Sequence, residues 1–157
     1  IGELARFAWL DEGIVAHPRA TGVSSSTSYL YQHEQGNDDD GSAMSNVFIE
    51  SSDLDIQDGE YFSSISRVIP DVKFTGSGGA DQTINFVLKT RNYPGESLVT
   101  NTTQNVTGTT TRLDTRLRAR QMAFRVESDD NSNVNTQTGV GWVLGDTRMD
   151  VKPSGRR

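Results

Sequence analysis

The chain has no cysteine, so it carries neither a disulfide framework nor a thiolate metal site. Its two histidines, His17 and His33, stand in no H-x-x-x-H spacing. Each reads as a surface or hydrogen-bonded histidine rather than a metal ligand. No apolar run approaches the roughly 18–20 residues of a membrane-crossing helix. Nucleophile elbow, Walker loop and dinucleotide fingerprint are all absent, and Gly76-Ser77-Gly78-Gly79 lacks the helix and lysine of a phosphate cradle. Hydrophobic residues make up only 33% of the 157, which is low for a self-sufficient globule. What is abundant is glycine, at 15 residues, amid frequent Ser, Thr, Asn and Asp. That mixture suits a β-protein with many turns, or a subunit that completes its core with neighbours.

The net charge of −6 is unevenly distributed. Residues 1–60 hold twelve acids and two bases, net −10, whereas residues 61–157 hold thirteen bases and nine acids, net +4. Such a split marks either two solvated faces that partly pair in the fold or a directional electrostatic surface. The chain reads as one β-rich region over 1–157, acidic over 1–60 and more basic over 61–157. It begins at Ile1 in what looks like the middle of a structured segment, Ala5-Arg6-Phe7-Ala8-Trp9-Leu10, so the expectation is a C-terminal fragment or one domain of a longer protein.

Periodicity predicts strands throughout. Residues 1–10 place Phe7 and Trp9 on one face, and 29–34 place Tyr29, Tyr31 and His33 on one face. Between them, 13–22 reads as a connection. A turn is expected over 35–41, where Gly, Asn and Asp accept left-handed backbone angles. A short strand over 46–50 precedes an acidic connection from Asp53 to Glu60. Pro70 divides 61–74 into two short strands or one bent edge strand, and the glycines of 76–79 signal a hairpin. Ile84, Phe86 and Leu88 alternate cleanly within 83–91, and Asn92-Tyr93-Pro94-Gly95 forms a turn. Residues 97–111, rich in Thr and Asn, read as a poorly packed loop or an edge. A polar loop over 128–139 and two short strands over 140–144 and 147–152 end the chain. The fold class is therefore all-β, with mostly antiparallel sheets.

The segment 116–127 has an odd pattern. Arg116, Arg118 and Arg120 share a parity with Met122, Phe124 and Val126, so one strand face changes from guanidinium to hydrocarbon half way along. Either the strand leaves the core there, or a bulge near Arg120 or Gln121 flips its register. Arg112, Arg116, Arg118, Arg120 and Arg125 could track phosphates. However, aromatics are not interleaved with them, and the isoelectric point of about 4.8 argues against tight nucleic-acid binding. Arg116, Arg118 and Arg120 read instead as a contact to an acidic surface of a neighbouring subunit, heterologous and closed by symmetry if the subunits form a ring.

The acids select no chemistry. Asp53-Leu54-Asp55-Ile56-Gln57-Asp58-Gly59 fails the EF-hand spacing, with its third acid at position 6 and Ser64 at position 12. A solvated turn explains Asp38, Asp39 and Asp40 as well as a hard cation does. No pair of carboxylates is singled out for glycoside hydrolysis. Asn101-Thr102-Thr103 and Asn105-Val106-Thr107 match glycosylation sequons, which a Thr/Asn-rich tract produces by chance. No catalytic, cofactor-binding or metal-binding residue is assigned, and no enzyme activity is expected.

Several segments in order carry a resemblance: Tyr31-Gln32-His33-Glu34, the stretch from Phe48 to Gly59, Ser66-Arg67-Val68-Ile69-Pro70-Asp71, Leu88 to Gly95, Arg118 to Ser128, and Trp142 to the terminal Gly155-Arg156-Arg157. This succession resembles the C-terminal part of the tail-nozzle (packaged-DNA-stabilisation) proteins of short-tailed bacteriophages, over most of residues 29–157. The resemblance implies a β-rich, propeller-like or sandwich-like portion of a larger ring-forming subunit, with copies of itself in a hexamer, located in the virion tail beside adaptor or fibre proteins. It implies a structural role, in which double-stranded DNA is retained and then passes without sequence-specific binding. A conduit lined with carboxylates repels phosphate, whereas a basic lining would hold it. Asp38, Asp39, Asp40, Asp53, Asp55 and Asp58 are accordingly candidates to face the lumen. A carbohydrate- or receptor-binding β-module of a tail or adhesin is the alternative, and it predicts an exposed aromatic groove using Trp9, Tyr29, Tyr31 or Trp142. A hydrolase with paired acids is the third reading.

Overall fold

Strict alternation of Ile84, Phe86 and Leu88 sets the centre of the molecule. In the computed structural model, which describes residues 7–10, 16–44, 47–55, 59–77, 82–128 and 138–156, all three are buried on one strand, Thr83–Arg91. The described residues form strands and no helix, and every strand pairing is antiparallel. In chain order the strands are β1 Phe7–Leu10, β2 Arg19–Ser24, β3 Thr27–Gln32, β4 Asp38–Asp39, β5 Ser42–Ala43, β6 Phe48–Glu50, β7 Leu54–Asp55 and β8 Ser63–Ile69. They continue with β9 Val72–Phe74, β10 Thr83–Arg91, β11 Val99–Thr107, β12 Leu113–Ala119, β13 Gln121–Glu127, β14 Trp142–Leu144 and β15 Arg148–Pro153.

Two sheets share one core. The larger has the order β11-β10-β13-β6, with β7 also paired to β13, and the smaller has the order β12-β8-β15. Ile84, Phe86, Leu88, Val106, Met122 and Val126 of the larger sheet meet Ile65, Val68, Leu113 and Ala119 of the smaller in one buried cluster. The β9–β14 ribbon adds Val72, Phe74, Trp142 and Leu144 around it. This is sandwich-like packing, in which each sheet hides its apolar face against the other. Of the two architectures anticipated, the sandwich-like one fits, and the described strands close neither a barrel nor a propeller.

The arginine segment is not one long strand but two, β12 and β13, in different sheets. In β12 the odd positions Leu113 and Ala119 face the core and the even positions Asp114, Arg116 and Arg118 face out. In β13 the even positions Met122 and Val126 face the core. Ala119 and Met122 both point inward, three residues apart, so the parity flips at Arg120 as the chain crosses from one sheet to the other. Strands that change sheets turn such corners through bulges or bends. The mixed face of arginine and hydrocarbon is thereby resolved.

The strands β1, β2 and β3 form a separate small sheet. Its register places Trp9 opposite Ala20 and Ala20 opposite Tyr31, with Gly22 opposite Tyr29. Directly opposed residues share a sheet face. Small side chains on the central strand thus make a floor for aromatic rings on its neighbours, and Ala20 is wholly buried beneath them. Residues 13–22, expected as a connection, contain the start of β2 instead. The β2–β3 turn is Ser25-Ser26, both at positive φ (48° and 68°), a hairpin without the usual Asn-Gly signal. Asp40-Gly41, at φ 53° and 80°, makes the corresponding turn between β4 and β5, within the predicted 35–41 turn.

Elsewhere the local signals hold. Pro70 separates β8 from β9, and residues 97–111 supply an edge strand, β11, rather than a loop. The acidic connection after Asp53 includes the two-residue strand β7. The hairpin expected over 76–79 and the polar loop over 128–139 lie largely outside the described residues. Gly76 itself serves a close approach. Thr75 and Gly76 donate their amides to the Gly141 carbonyl at 2.8 and 3.1 Å, and a Cβ at Gly76 would collide with the backbone of Gly139 and Gly141.

Candidate functional site

Two of the three arginines singled out by the sequence are turned onto their own chain. The Arg118 guanidinium lies 4.0 Å above the Phe62 ring centroid and donates to Ser154 Oγ at 3.1 Å and the Ser154 carbonyl at 3.0 Å. Arg120 stands 4.7 Å from the same ring and donates to the carbonyls of Gly59, Glu60 and Arg156 at 3.0, 2.8 and 3.2 Å. Its place at the sheet-switching corner is what frees its side chain to reach both segments. Phe62 and the C-terminal segment are also joined by backbone, Phe62 N to the Gly155 carbonyl at 2.8 Å and Ser154 N to the Phe62 carbonyl at 2.6 Å. Arg156 extends the cluster over Tyr61 at 4.8 Å, with Glu60 3.5 Å from its guanidinium. Cations stacked on aromatic faces, with their N–H groups spent on carbonyls, make a clamp between the 59–62 turn and the 154–156 segment. Arg116, by contrast, is exposed on β12, and no hydrogen bond or ion pair joins it to another of the described residues.

The candidate lumen acids do not converge. Asp38 and Asp39 are half-buried on β4, and the Asp38 carboxylate accepts the Gly139 amide. Asp40 is exposed at the turn. The Asp53 carboxylate is paired to Arg91 on β10, while Asp55 is exposed and accepts from Gln121 at 3.4 Å. Asp58 lies outside the described residues. Of the five described, Asp40 and Asp55 are therefore the ones that present charge to solvent with least internal compensation.

Sequence reasoning missed a charged face on the outside of the larger sheet. Glu50 on β6 sits between Lys89 Nζ at 2.7 Å and Arg125 Nη1 at 3.4 Å. Arg125 also donates to Glu127 at 2.5 Å and lies 3.7 Å above the Phe48 ring. These side chains are only 13–25% exposed, so the pairs are screened less than surface ones. The signal was available as parity: Lys89 and Arg91 oppose the core-facing Ile84-Phe86-Leu88 row, as Arg125 and Glu127 oppose Met122 and Val126. The hydrogen bond from Lys89, aided by Arg125, holds the Glu50 carboxyl below its ordinary value of 4.5 although burial pushes it up. A carboxyl depressed in the folded state stabilises the fold above its unfolded pKa, and that stability is lost as pH falls through the folded value. Glu50→Gln is expected to remove part of the stability loss on acidification below about pH 4.5 and to cost roughly 1 kcal/mol or less at neutral pH. Urea midpoints measured from pH 3 to pH 7 check this, and parallel curves for the two proteins would contradict it.

The aromatic candidates divide. Trp9 is 57% exposed and Tyr29 is 47% exposed. Tyr31 is half-buried against Tyr29, with ring centroids 5.9 Å apart. Trp142 is half-buried at the sandwich core and donates its indole N–H to Ser128 Oγ at 2.8 Å. Trp9 packs on the His33 ring at 4.4 Å, and the two border an open cavity with Leu10, Pro18 and Glu34. Among the described residues, no group of three or more His, Asp and Glu is placed to hold a metal ion, and no helix is long and apolar enough to cross a membrane. No protein-family model matches the chain, and neither does any curated protein.

Proposed function

We propose that the chain is a structural subunit of the tail nozzle of a short-tailed bacteriophage, helping to retain packaged DNA in the virion and to form the conduit for its ejection. The carrying observation is where the resembling segments fall. Phe48–Glu50, the 66–71 corner, the end of β10 with its 92–95 turn, the β12–β13 corner and the terminal β14–β15 segment belong to the frame of one sandwich, whereas Tyr31–Glu34 lies at the end of β3 in the separate small sheet. A resemblance spread over a frame rather than gathered in a cleft suits a protein whose work is shape and assembly. Copies of the chain meet in a ring, with Arg116 the arginine free to contact an acidic neighbour and Asp40 and Asp55 free to keep phosphate from adhering.

The test is the mass of the assembly. Native mass spectrometry is expected to show a six-fold ring, and Arg116→Glu is expected to weaken assembly about tenfold, since like charges facing one another cost at least about 1.4 kcal/mol. A chain that stays monomeric at every concentration would sink the ring reading. Exposed Trp9 and Tyr29 favour a second reading, a carbohydrate- or receptor-binding module of a tail or adhesin. That reading gains if a glycan array registers binding that Trp9→Ala abolishes.

A further inference from the structure

We infer that the outer face of the smaller sheet docks the acidic 34–41 turn of a second copy of this chain. The inference names the two surfaces of the ring contact proposed above, and rests on that reading only in requiring that copies associate. Register defines the face. Arg118, Ser64 and Lys152 stand opposite one another across β12, β8 and β15, as do Asp114, Arg67 and Asp150. Directly opposed residues share a face. Their neighbours along the strands, among them Leu113, Ile65 and Val68, point into the core, so both rows face out. Arg148 opposes Ile69 at the far end, Arg112 immediately precedes β12, and Arg116 sits in the register irregularity between Asp114 and Leu117. Arg67, Arg112, Arg116, Arg118, Arg148 and Lys152 set against Asp114 and Asp150 give this face net +4, in a chain of net −6. The two acids lie beside Arg112 and Arg67, at 3.4 and 3.2 Å. Arg116, Arg148 and Lys152 are exposed, and no hydrogen bond or ion pair joins them to another of the described residues.

Charge complementarity identifies the occupant. A concavity of about 670 Å³ follows the end of β3 and the β4–β5 turn. Glu34, Asp38, Asp39 and Asp40 line it with no described lysine or arginine, so it carries net −4. Glu34 and Asp40 are exposed. The chain thus holds a flat face of +4, from which long cationic side chains project, and a concave patch of −4 able to receive them. A uniform polyanion such as duplex nucleic acid fits the face less well, because it presses phosphates onto the row that holds Asp114 and Asp150. Five of the six bases are arginine, and Ile69, 40% exposed, lies among them. Arginine is enriched and lysine depleted where proteins meet proteins. A contact between two different patches is heterologous and continues from copy to copy. Asp40 then belongs to the contact, and Asp55 is the acid left to keep phosphate from adhering.

Having two different surfaces gives the test its form. One double variant, Arg148→Glu with Lys152→Glu, discharges the basic face, and a second, Glu34→Lys with Asp40→Lys, discharges the acidic turn. All four side chains are exposed, and far-ultraviolet circular dichroism confirms that each variant is folded. Each alone is expected to raise the dissociation constant of self-association at least tenfold in analytical ultracentrifugation. In an equimolar mixture the intact turn of the first variant meets the intact face of the second, so a mixed dimer of wild-type affinity is expected. Wild-type association is expected to weaken in about 1 M salt, where the screening length falls to about 3 Å. A wild-type chain that stays monomeric overturns this inference and the ring reading together. Wild-type assembly that neither double variant weakens, or a mixture that stays dissociated, overturns the inference and leaves the ring standing. Association that mixing rescues without closing a six-fold ring supports the inference and sinks the ring.

Discussion

Phe86→Ala is expected to destabilise the fold by about 3–5 kcal/mol, the usual range for removing a buried aromatic ring. Phe86 is 1% exposed, lies on the central strand of the larger sheet and stacks nearly parallel on Phe124 with ring centroids 5.6 Å apart. Its surroundings are the tightly held β10 and β13 ladders, which can collapse only partly into the space. Ordinary domains have a margin of about 5–15 kcal/mol, so the loss takes a large share of it. At this chain length it corresponds to a melting temperature lower by roughly 6–20 °C. Phe124→Ala, at a half-buried position, is expected to cost less, and Val151→Ala, which is 40% exposed, to cost least. Denaturant and thermal melts of the three variants check the order. A Phe86→Ala loss under about 1 kcal/mol would mean that the two sheets do not pack as one core.

Arg120→Ala is expected to cost about 1–3 kcal/mol and to release the 154–156 segment before the rest of the fold. The substitution strips a charged donor from three backbone carbonyls, those of Gly59, Glu60 and Arg156, and removes one of the two guanidiniums on Phe62. Hydrogen exchange should report it as faster exchange of the Phe62 and Ser154 amides, which pair the two segments, while the β10 amides stay protected. Arg120→Lys should rescue little, because a single ammonium lacks the planar fork that spans both segments. Added salt should matter little as well, since the Arg156–Glu60 pair is two-thirds exposed and contributes weakly. Unchanged exchange at Phe62 and Ser154 would remove the clamp. The same geometry sets the expectation for charge reversal at Arg118 and Arg120. Its first consequence is expected to be a freed C-terminal segment, and any effect on assembly is read cleanly only at Arg116.

Much of the sandwich was legible because strand alternation is a local property. Ile84, Phe86 and Leu88 had to share a face, Pro70 had to break a ladder, and Asn92-Tyr93-Pro94-Gly95 had to turn. The β2–β3 hairpin was not legible, because serines at positive φ carry no turn signature and are held there by the pairing of the strands they join. β11 was half legible. Its Thr/Asn composition shows an unburied strand but not that β10 covers one edge of it. The charged face around Glu50 was written in the parity of β10 and β13, yet its pairs join residues 39 and 75 positions apart.

The sequence by itself determined the all-β class, the antiparallel character, the core row of β10 and the change of character along 116–127. Only the tertiary structure decided what that change means. Arg120 marks a corner between sheets, and its side chain and that of Arg118 close on Phe62 and the C-terminal segment. The physical reason is one of range. Which face a residue takes follows from its nearest neighbours along the strand, whereas the partner of a guanidinium is whatever distant carbonyl or ring the completed sheets bring within about 3–5 Å.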